Sequence, residues 1–360
     1  MAANHRVKNL YYMLSYAFTA LRQGEFANIA TEDFENIHNL LAEIICRGVS
    51  IQVKRGLHRD YLAVQELLTS PKGQLRLSES IKRLTMVQGR LVCDYDEFLV
   101  DSPHNQALKS VMNLLVSHGD ISASRRQDLR RLLAYFDEVT VVAPSGIRWE
   151  ALRYHRNNAP YRALLGVCRL VVEGLLMTTA SGERRLQSWL NDERMFQLYE
   201  RFIRAYFQRH HAEYEPKAGW VRWDITTGVP SSFVPTMKTD LTLHFADRTL
   251  IIDMKWYGHV FQTDHWSGEQ RYRESHLYQI YTYVKNADPA HTGKVSGILL
   301  YAKTDEPTSP DEDLVIGGNP IGVKTLDLDA DWSGIVAQLE GLCHWLDEDG
   351  ARSAVCGPTL

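Results

Sequence analysis

Apolar positions recur at helical spacing in two stretches near the start of the chain, VKNLYYMLSYAF (7–18) and FENIHNLLAEIICRG (34–48), and the second closes at Gly48. Between about 49 and 100 the pattern changes to short alternating runs punctuated by glycine, SIQVKRG, DYLAVQEL, GQLRL and RLVCDYDEFLV, which predict small strands. SPHNQALKSVMNLLVSHG then predicts a helix capped by Ser102, with Pro103 at its first position and Gly119 at its end. A helix over 122–136, a strand VTVVAP and a long helix over 159–177 follow, and TTASGERR (178–185) reads as a linker. The organisation expected is an α+β N-terminal domain over 1–180 and a second domain over 181–360.

The second half opens with DERMFQLYERFIRAYFQRHH, whose apolar stripe runs Met195, Tyr199, Phe202, Tyr206 with Phe196, Ile203 and Phe207 beside it. Two apolar runs, LTLHF and TLIIDM, flank Ala246-Asp247 and predict a hairpin. The helix ESHLYQIYTYVKN, the strand VSGILLYA, an acidic loop at 305–313 and a last helix from Asp331 to about Leu346 complete the chain. Strands interleaved with helices in this way predict a mixed α/β fold: a mixed sheet flanked by helices.

Register gives the hairpin its interest. With Ala246-Asp247 as a two-residue loop, Phe245 faces Arg248, Leu243 faces Leu250, Leu241 faces Ile252 and Asp240 faces Asp253. Leu241, Leu243 and Phe245 then share a core face with Leu250, Ile252 and Met254, while Asp240, Asp253 and Lys255 share the other. The loop is not of the favoured Asn-Gly type, so a slip of one residue is the alternative. Carboxylates facing each other across a ladder repel, and a divalent cation between them reverses the sign of that interaction. Two carboxylates completed by water and phosphate suit Mg²⁺, and a lysine beside them can orient water and neutralise charge developing on phosphorus. A solvated hairpin with scattered charges is the bland reading of the same string.

Two helices add candidates. Gln279 and Tyr283 lie four apart, opposite a packing stripe of Leu277, Ile280 and Val284, where they could reach phosphate or water. Glu200 sits at the margin of an apolar stripe, where a carboxylate is costly unless paired; a salt bridge to Arg204 and a metal contact answer that cost equally.

Composition narrows the classes. The chain has 360 residues, a formal charge of −4 and 44% hydrophobic content, so nothing in bulk marks a nucleic-acid binder. Charge is uneven: residues 121–170 carry a net +5 and 305–350 a net −11, so an anionic polymer would meet the protein away from its acidic end. The run Arg125, Arg126, Arg130, Arg131 is either a solvated helix face or a contact to phosphates or a partner. Five cysteines without CxxC pairing fit reduced thiols, and His210-His211, His259, His265 and Cys343-His344 lack zinc-ligand spacing. The N-terminus lacks a signal-peptide core and the most apolar stretch, LLGVCRLVVEGLLM, is broken by Arg169 and Glu173. The expectation is a soluble cytoplasmic protein with no membrane partner.

PTMKTD, LIIDMKWY and LYQIYTYV resemble the signature of PD-(D/E)xK nucleases of the McrC type, and VKNLYYMLSYAF, GVSIQVKRGLHRDY and KGQLRLSESI are similar to the same family, so the resemblance spans nearly the whole chain. Pro235 and Asp240 are not adjacent, and Met254 stands where a small residue is common in the family. The resemblance implies a restriction-endonuclease-like core over 181–360 with Asp240 and Asp253 as metal ligands and Lys255 as the catalytic lysine. It also implies Gln279 and Tyr283 as an accessory Gln-xxx-Tyr motif and Glu200 as a further metal-site acid. The expected cofactor is Mg²⁺, with Mn²⁺ as a substitute. The expected substrate is double-stranded DNA carrying modified cytosine, recognised by a hexameric AAA+ GTPase partner of the McrB type that docks on residues 1–180. The chain has no GxxxxGK[ST] loop, so GTP would be bound by the partner. The Gly-punctuated region at 49–100 is the expected partner-contacting projection. A non-catalytic adaptor of the GTPase and a free-standing RecB-like exonuclease are the competing functions.

Overall fold

The computed structural model describes residues 2–18, 21, 26, 29, 32, 34–155, 158–178, 184–186, 191–228, 232–263, 269–303, 306 and 308–347. The chain divides into two compact units: one comprises Met1–Arg22, Ala30–Glu35 and Leu190–Leu360, the other Gln23–Ile29 and Asn36–Trp189. Most of the expected linker, residues 179–183, lies outside the described residues. The N-terminal helix α1 (Ala2–Ala17) belongs with the C-terminal half, unlike a division at 180. Its polar and aromatic groups explain why: Asn9 Nδ2 donates to the Leu328 and Ala330 carbonyls (2.8 and 2.7 Å), and the Tyr12 ring stacks on Trp332 at 4.4 Å.

The unit built on 36–189 begins with α2 (Ile37–Arg55), which Asn36 caps by accepting from Asn39 N. This helix does not stop at Gly48. A Cβ there would lie 2.6 Å from Leu164 Cδ1, so the glycine admits a neighbouring helix, and the turn that ends α2 is Gly56, with φ 85°. SIQVKRG is therefore helical, not a strand. β1 (Asp60–Leu68), β2 (Gln74–Leu75), α3 (Leu77–Lys82) and β3 (Leu91–Leu99) follow, and β1 and β3 form an antiparallel ladder from Asp60↔Leu99 to Leu68↔Leu91.

Next come α4 (Pro103–His118), capped by Ser102, α5 (Ala123–Leu133), α6 (Ala159–Leu170) with a π-helical last turn at Val171–Leu175, and the short pair β4 (Leu176–Thr178) and β5 (Arg184–Leu186). VTVVAP is not a strand, because no neighbouring strand meets it; the Val142 N–H is taken by Ser110 Oγ at 3.0 Å. The arginine run of α5 is partly structural: Arg125 pairs with Glu43 and Arg126 donates to the Gly119 carbonyl.

The other unit continues with α7 (Asp192–His210), β6 (Trp220–Val221), β7 (Met237–Lys238), β8 (Leu241–Phe245), β9 (Arg248–Lys255), β10 (Phe261–Thr263), β11 (Gln270–Tyr272), α8 (Glu274–Ala287), β12 (Val295–Ala302), β13 (Glu312–Ile316), β14 (Asn319–Leu326) and α9 (Trp332–Gly341). Its main sheet has the order β13-β14-β12-β9-β8, with β9, β12 and β14 parallel and the edge strands antiparallel. The fold is mixed α/β, as the sequence predicts. The hairpin β13–β14, which occupies part of the expected acidic loop, was not anticipated; it turns on Gly317 and Gly318, both at positive φ. Helix α8 lies close on β12 because Gly297 leaves room for Ile280 and Val284, each 2.7 Å from where a Cβ would stand.

Candidate functional site

The β8–β9 hairpin adopts the register read from the sequence, with Leu241↔Ile252, Leu243↔Leu250 and Phe245↔Arg248. The tight loop is possible without Asn-Gly because Ala246 takes a left-handed φ of 53°. One step beyond the ladder Asp240 meets β9: its Oδ2 accepts from the Met254 N–H at 2.8 Å. Asp253 and Lys255 close the C-terminal end of β9, and β12 sets Leu299 and Tyr301 beside them in parallel register. In open α/β sheets the crevice outside the carboxyl ends of strands is where ligands bind.

Neither face of the hairpin is simply polar. Asp253 is 1% exposed and Lys255 8%, so both sit under α8 and not on an open charged face. Lys255 Nζ lies 2.5 Å from Asp253 Oδ2 and donates to Gln279 Oε1 at 2.9 Å; Gln279 Nε2 in turn donates to the Tyr283 hydroxyl at 2.9 Å. Gln279 and Tyr283 thus point inward, and Tyr283 is part of the core with Ile280 and Val284, where the helical wheel suggested an opposite, half-exposed face. The reason is that α8 spans the sheet end: Ile280 and Val284 fill the Gly297 gap while the adjacent face covers Lys255.

The electrostatics record the crowding. Burial first, and then the Asp253 charge, push the Asp240 carboxyl up to about 6; Glu200 adds to this, while the Met254 N–H and Lys255 oppose it. Burial also raises Asp253, with the Lys255 ammonium opposing. Asp253 Oδ2 is buried against the Lys255 ammonium, its partner in the ion pair. Two carboxyls brought together at the strand end, each raised by burial, fit a divalent cation that prefers oxygen donors.

Glu200 does not join the pair in a three-ligand cluster. It is ion-paired with Arg204, whose Nε and Nη2 also donate to the Asp240 carbonyl at 3.1 and 2.9 Å. The salt-bridge alternative is thus the contact observed, and Arg204 ties α7 to the hairpin. Two further groups escaped the sequence reading. His276 Nδ1 shares a hydrogen bond of 2.7 Å with the Tyr301 hydroxyl, and burial with the Lys255 and Arg273 charges lowers His276 to about 4. His276 lies one turn before Gln279, a spacing that could have revealed it; Tyr301 required the parallel pairing of β12 with β9.

A family model described as "McrBC 5-methylcytosine restriction system component" matches residues 2–302. A protein of Escherichia coli (strain K12) described as "Type IV methyl-directed restriction enzyme EcoKMcrBC" is 25% identical over 336 residues, covering 92% of this chain and 95% of that protein. A Thermococcus gammatolerans assembly of McrB AAA+ hexamers with bound McrC aligns at 16% identity over 93% of this chain and 75% of that one, with a TM-score of 0.49. The cryo-EM structure of the McrBC complex from the same organism aligns at 20% identity over 57% and 59% of the two chains, with a TM-score of 0.40. With the family model matched across most of its length, the chain belongs to the McrBC family of 5-methylcytosine restriction system components.

Proposed function

We propose that the chain is the nuclease subunit of a modified-cytosine-dependent restriction system, hydrolysing DNA phosphodiesters with Mg²⁺ when activated by a GTP-hydrolysing AAA+ partner of the McrB type. The observation that carries this is the pair Asp240–Asp253 with Lys255 beside it at the end of β9: burial raises both carboxyls, and the Asp253 charge raises Asp240 further. Asp240 and Asp253 would hold the cation, with water and substrate phosphate completing its shell. When bound, Mg²⁺ supplies Lewis-acid stabilisation of the charge that builds on the phosphoryl oxygens.

The chain's own groups do the rest. Lys255 presents N–H donors that orient the attacking water and neutralise charge on the phosphate. Gln279 fixes the ammonium through its Oε1 and is itself fixed by donating to Tyr283, so the lysine is aimed before substrate arrives. Arg204 holds the Asp240 backbone, which makes Glu200 a positioning partner of that arginine in this reading and not a cation ligand.

The partner reading draws on family membership and on the other unit. At the tip of the β1–β3 region, Ile81, Leu84, Met86 and Val87 are exposed, Val87 at 84%. Apolar side chains exposed on one segment suit burial against a complementary surface. In this reading the unit built on Asn36–Trp189 docks the GTPase, the unit built on Leu190–Leu360 cuts, and the partner reads the modified base. The N-terminal helix, packed with the C-terminal half, then belongs to the nuclease unit. The test is cleavage of methylated plasmid by the chain with its GTPase, with and without Asp253→Ala. The reading expects cleavage to fall by at least about 10²–10⁴-fold while GTPase stimulation survives. Undiminished cutting by the variant refutes it, and stimulation without any cutting by the wild type would leave an adaptor.

A further inference from the structure

The unit built on 36–189 contains a second cluster of ligating side chains, independent of the carboxylate pair. His58, in the turn entering β1, Asp60, the first residue of β1, and His104, in the first turn of α4, each bring a ligand atom within 4.8 Å of the others. The rings of His58 and His104 meet edge to face at 4.7 Å, and His155 lies 5.8 Å from His58 ring to ring.

His104 is the informative member. It is 2% exposed, its Nε2 meets the Arg153 carbonyl at 3.0 Å, and its Nδ1 is buried with no hydrogen-bond partner among the described residues. A carbonyl that accepts from Nε2–H fixes the tautomer and leaves a lone pair on Nδ1, the arrangement typical of a metal-bound histidine. An imidazole nitrogen orphaned in the interior otherwise calls for an explanation. The scaffold is firm: Asn105 Nδ2 donates to the His58 carbonyl at 2.7 Å, the Tyr161 hydroxyl accepts from His58 N–H at 2.8 Å, and Asn158 Nδ2 approaches His58 Nε2 at 3.4 Å.

We propose that His58, Asp60 and His104 form a site for a divalent transition metal of the zinc class, with the fourth position filled by water or His155. Two imidazoles and a carboxylate are a zinc donor set with an open position. Ligands about 2.0–2.2 Å from one ion stand closer together than 4.8 Å, so the partly buried His58 and Asp60 side chains draw in by about an ångström on binding. The site lies where the ladder starts at Asp60↔Leu99 and α4 begins, so a bound ion pins the start of the β1–β3 ladder to α4.

The experiment titrates Zn²⁺ alone into the EDTA-treated full chain, tag removed, against a chromophoric chelator, and records the visible spectrum with Co²⁺. One tight equivalent is expected, with affinity reduced at least about 100-fold in Asp60→Asn and in His58→Gln. It should be retained in Asp253→Ala, which alters the carboxylate pair. It should also be retained in Cys343→Ser, which alters a second His/Glu/Cys group (His211, Glu340, Cys343) whose Glu340 already accepts from Tyr206 and His211. Melting with Zn²⁺ should rise for wild type and not for Asp60→Asn, while the two melt alike without metal. A wild type that binds no more Zn²⁺ than Asp60→Asn, or a Co²⁺ spectrum unchanged in His58→Gln, overturns the proposal.

Discussion

Replacing Asp240 by asparagine should stabilise the metal-free protein while abolishing its proposed chemistry. The carboxyl is held at about 6 against an ordinary 3.8, which is a native-state penalty of about 3 kcal/mol once it is fully ionised. A carboxyl with its pKa raised by folding binds protons more tightly in the native state. It therefore costs nothing well below 3.8, costs progressively more as pH rises through about 6, and costs a constant amount above that. The carboxamide keeps an oxygen for the Met254 N–H and removes the charge facing Asp253. Thermal and urea unfolding in EDTA should show Asp240→Asn more stable than wild type by up to about 3 kcal/mol at pH 8, roughly 5–10 °C in Tm, with the gap closing toward pH 4. Millimolar Mg²⁺ should raise the wild-type Tm and leave the variant unmoved, because only a site that binds the native state shifts the equilibrium. A variant less stable than wild type at pH 8, or a gap that does not depend on pH, refutes the reasoning.

Other outcomes follow from the same contacts. Lys255→Met removes the only ammonium paired with Asp253 among the described residues; it should destabilise the fold by about 3–5 kcal/mol in chemical denaturation, because a buried carboxylate is left alone, and lower cleavage by about 10²–10⁴-fold. The acid limb of kcat/KM should lie near pH 6 at low Mg²⁺ and move to lower pH as Mg²⁺ rises, since the cation favours the ionised Asp240; a limb indifferent to Mg²⁺ contradicts this. Gly48→Val forces a β-branched side chain against Leu164, and differential scanning calorimetry should show a loss of about 1–3 kcal/mol, whereas a neutral result would mean the two helices part freely. Met86→Asp with Val87→Asp, at exposed positions, should leave the Tm unchanged and reduce GTPase stimulation.

The sequence was most legible where one period dominated. Apolar positions on both arms of the β8–β9 hairpin favour the register that buries Leu241, Leu243, Leu250 and Ile252 together over a one-residue slip, and that register, the one observed, carries Asp240 to Asp253. It failed where a glycine had a tertiary purpose: Gly48 looked like a helix end because local propensity cannot show that Leu164 occupies the space of its missing Cβ. The strand β13 is hidden in the sequence because acidic residues at 311–313 suggest a solvated loop, whereas Asp311 and Asp313 pair with Lys324 across the hairpin. Within the site, Lys255 and Gln279 were visible as residue types, yet their hydrogen bond depends on Gly297 letting α8 down onto β12. The His58–Asp60–His104 cluster had no local signature, since His104 lies far along the chain from the other two on an element that only the fold brings to them.

The central claim is that the opposed aspartates hold a divalent cation. The direct measurement is an anomalous difference map from a crystal of the chain soaked in Mn²⁺. A peak between Asp240 and Asp253, within coordination distance of both carboxylates and lost in Asp253→Ala, is the predicted result. Full-strength data with no density between those side chains would contradict it.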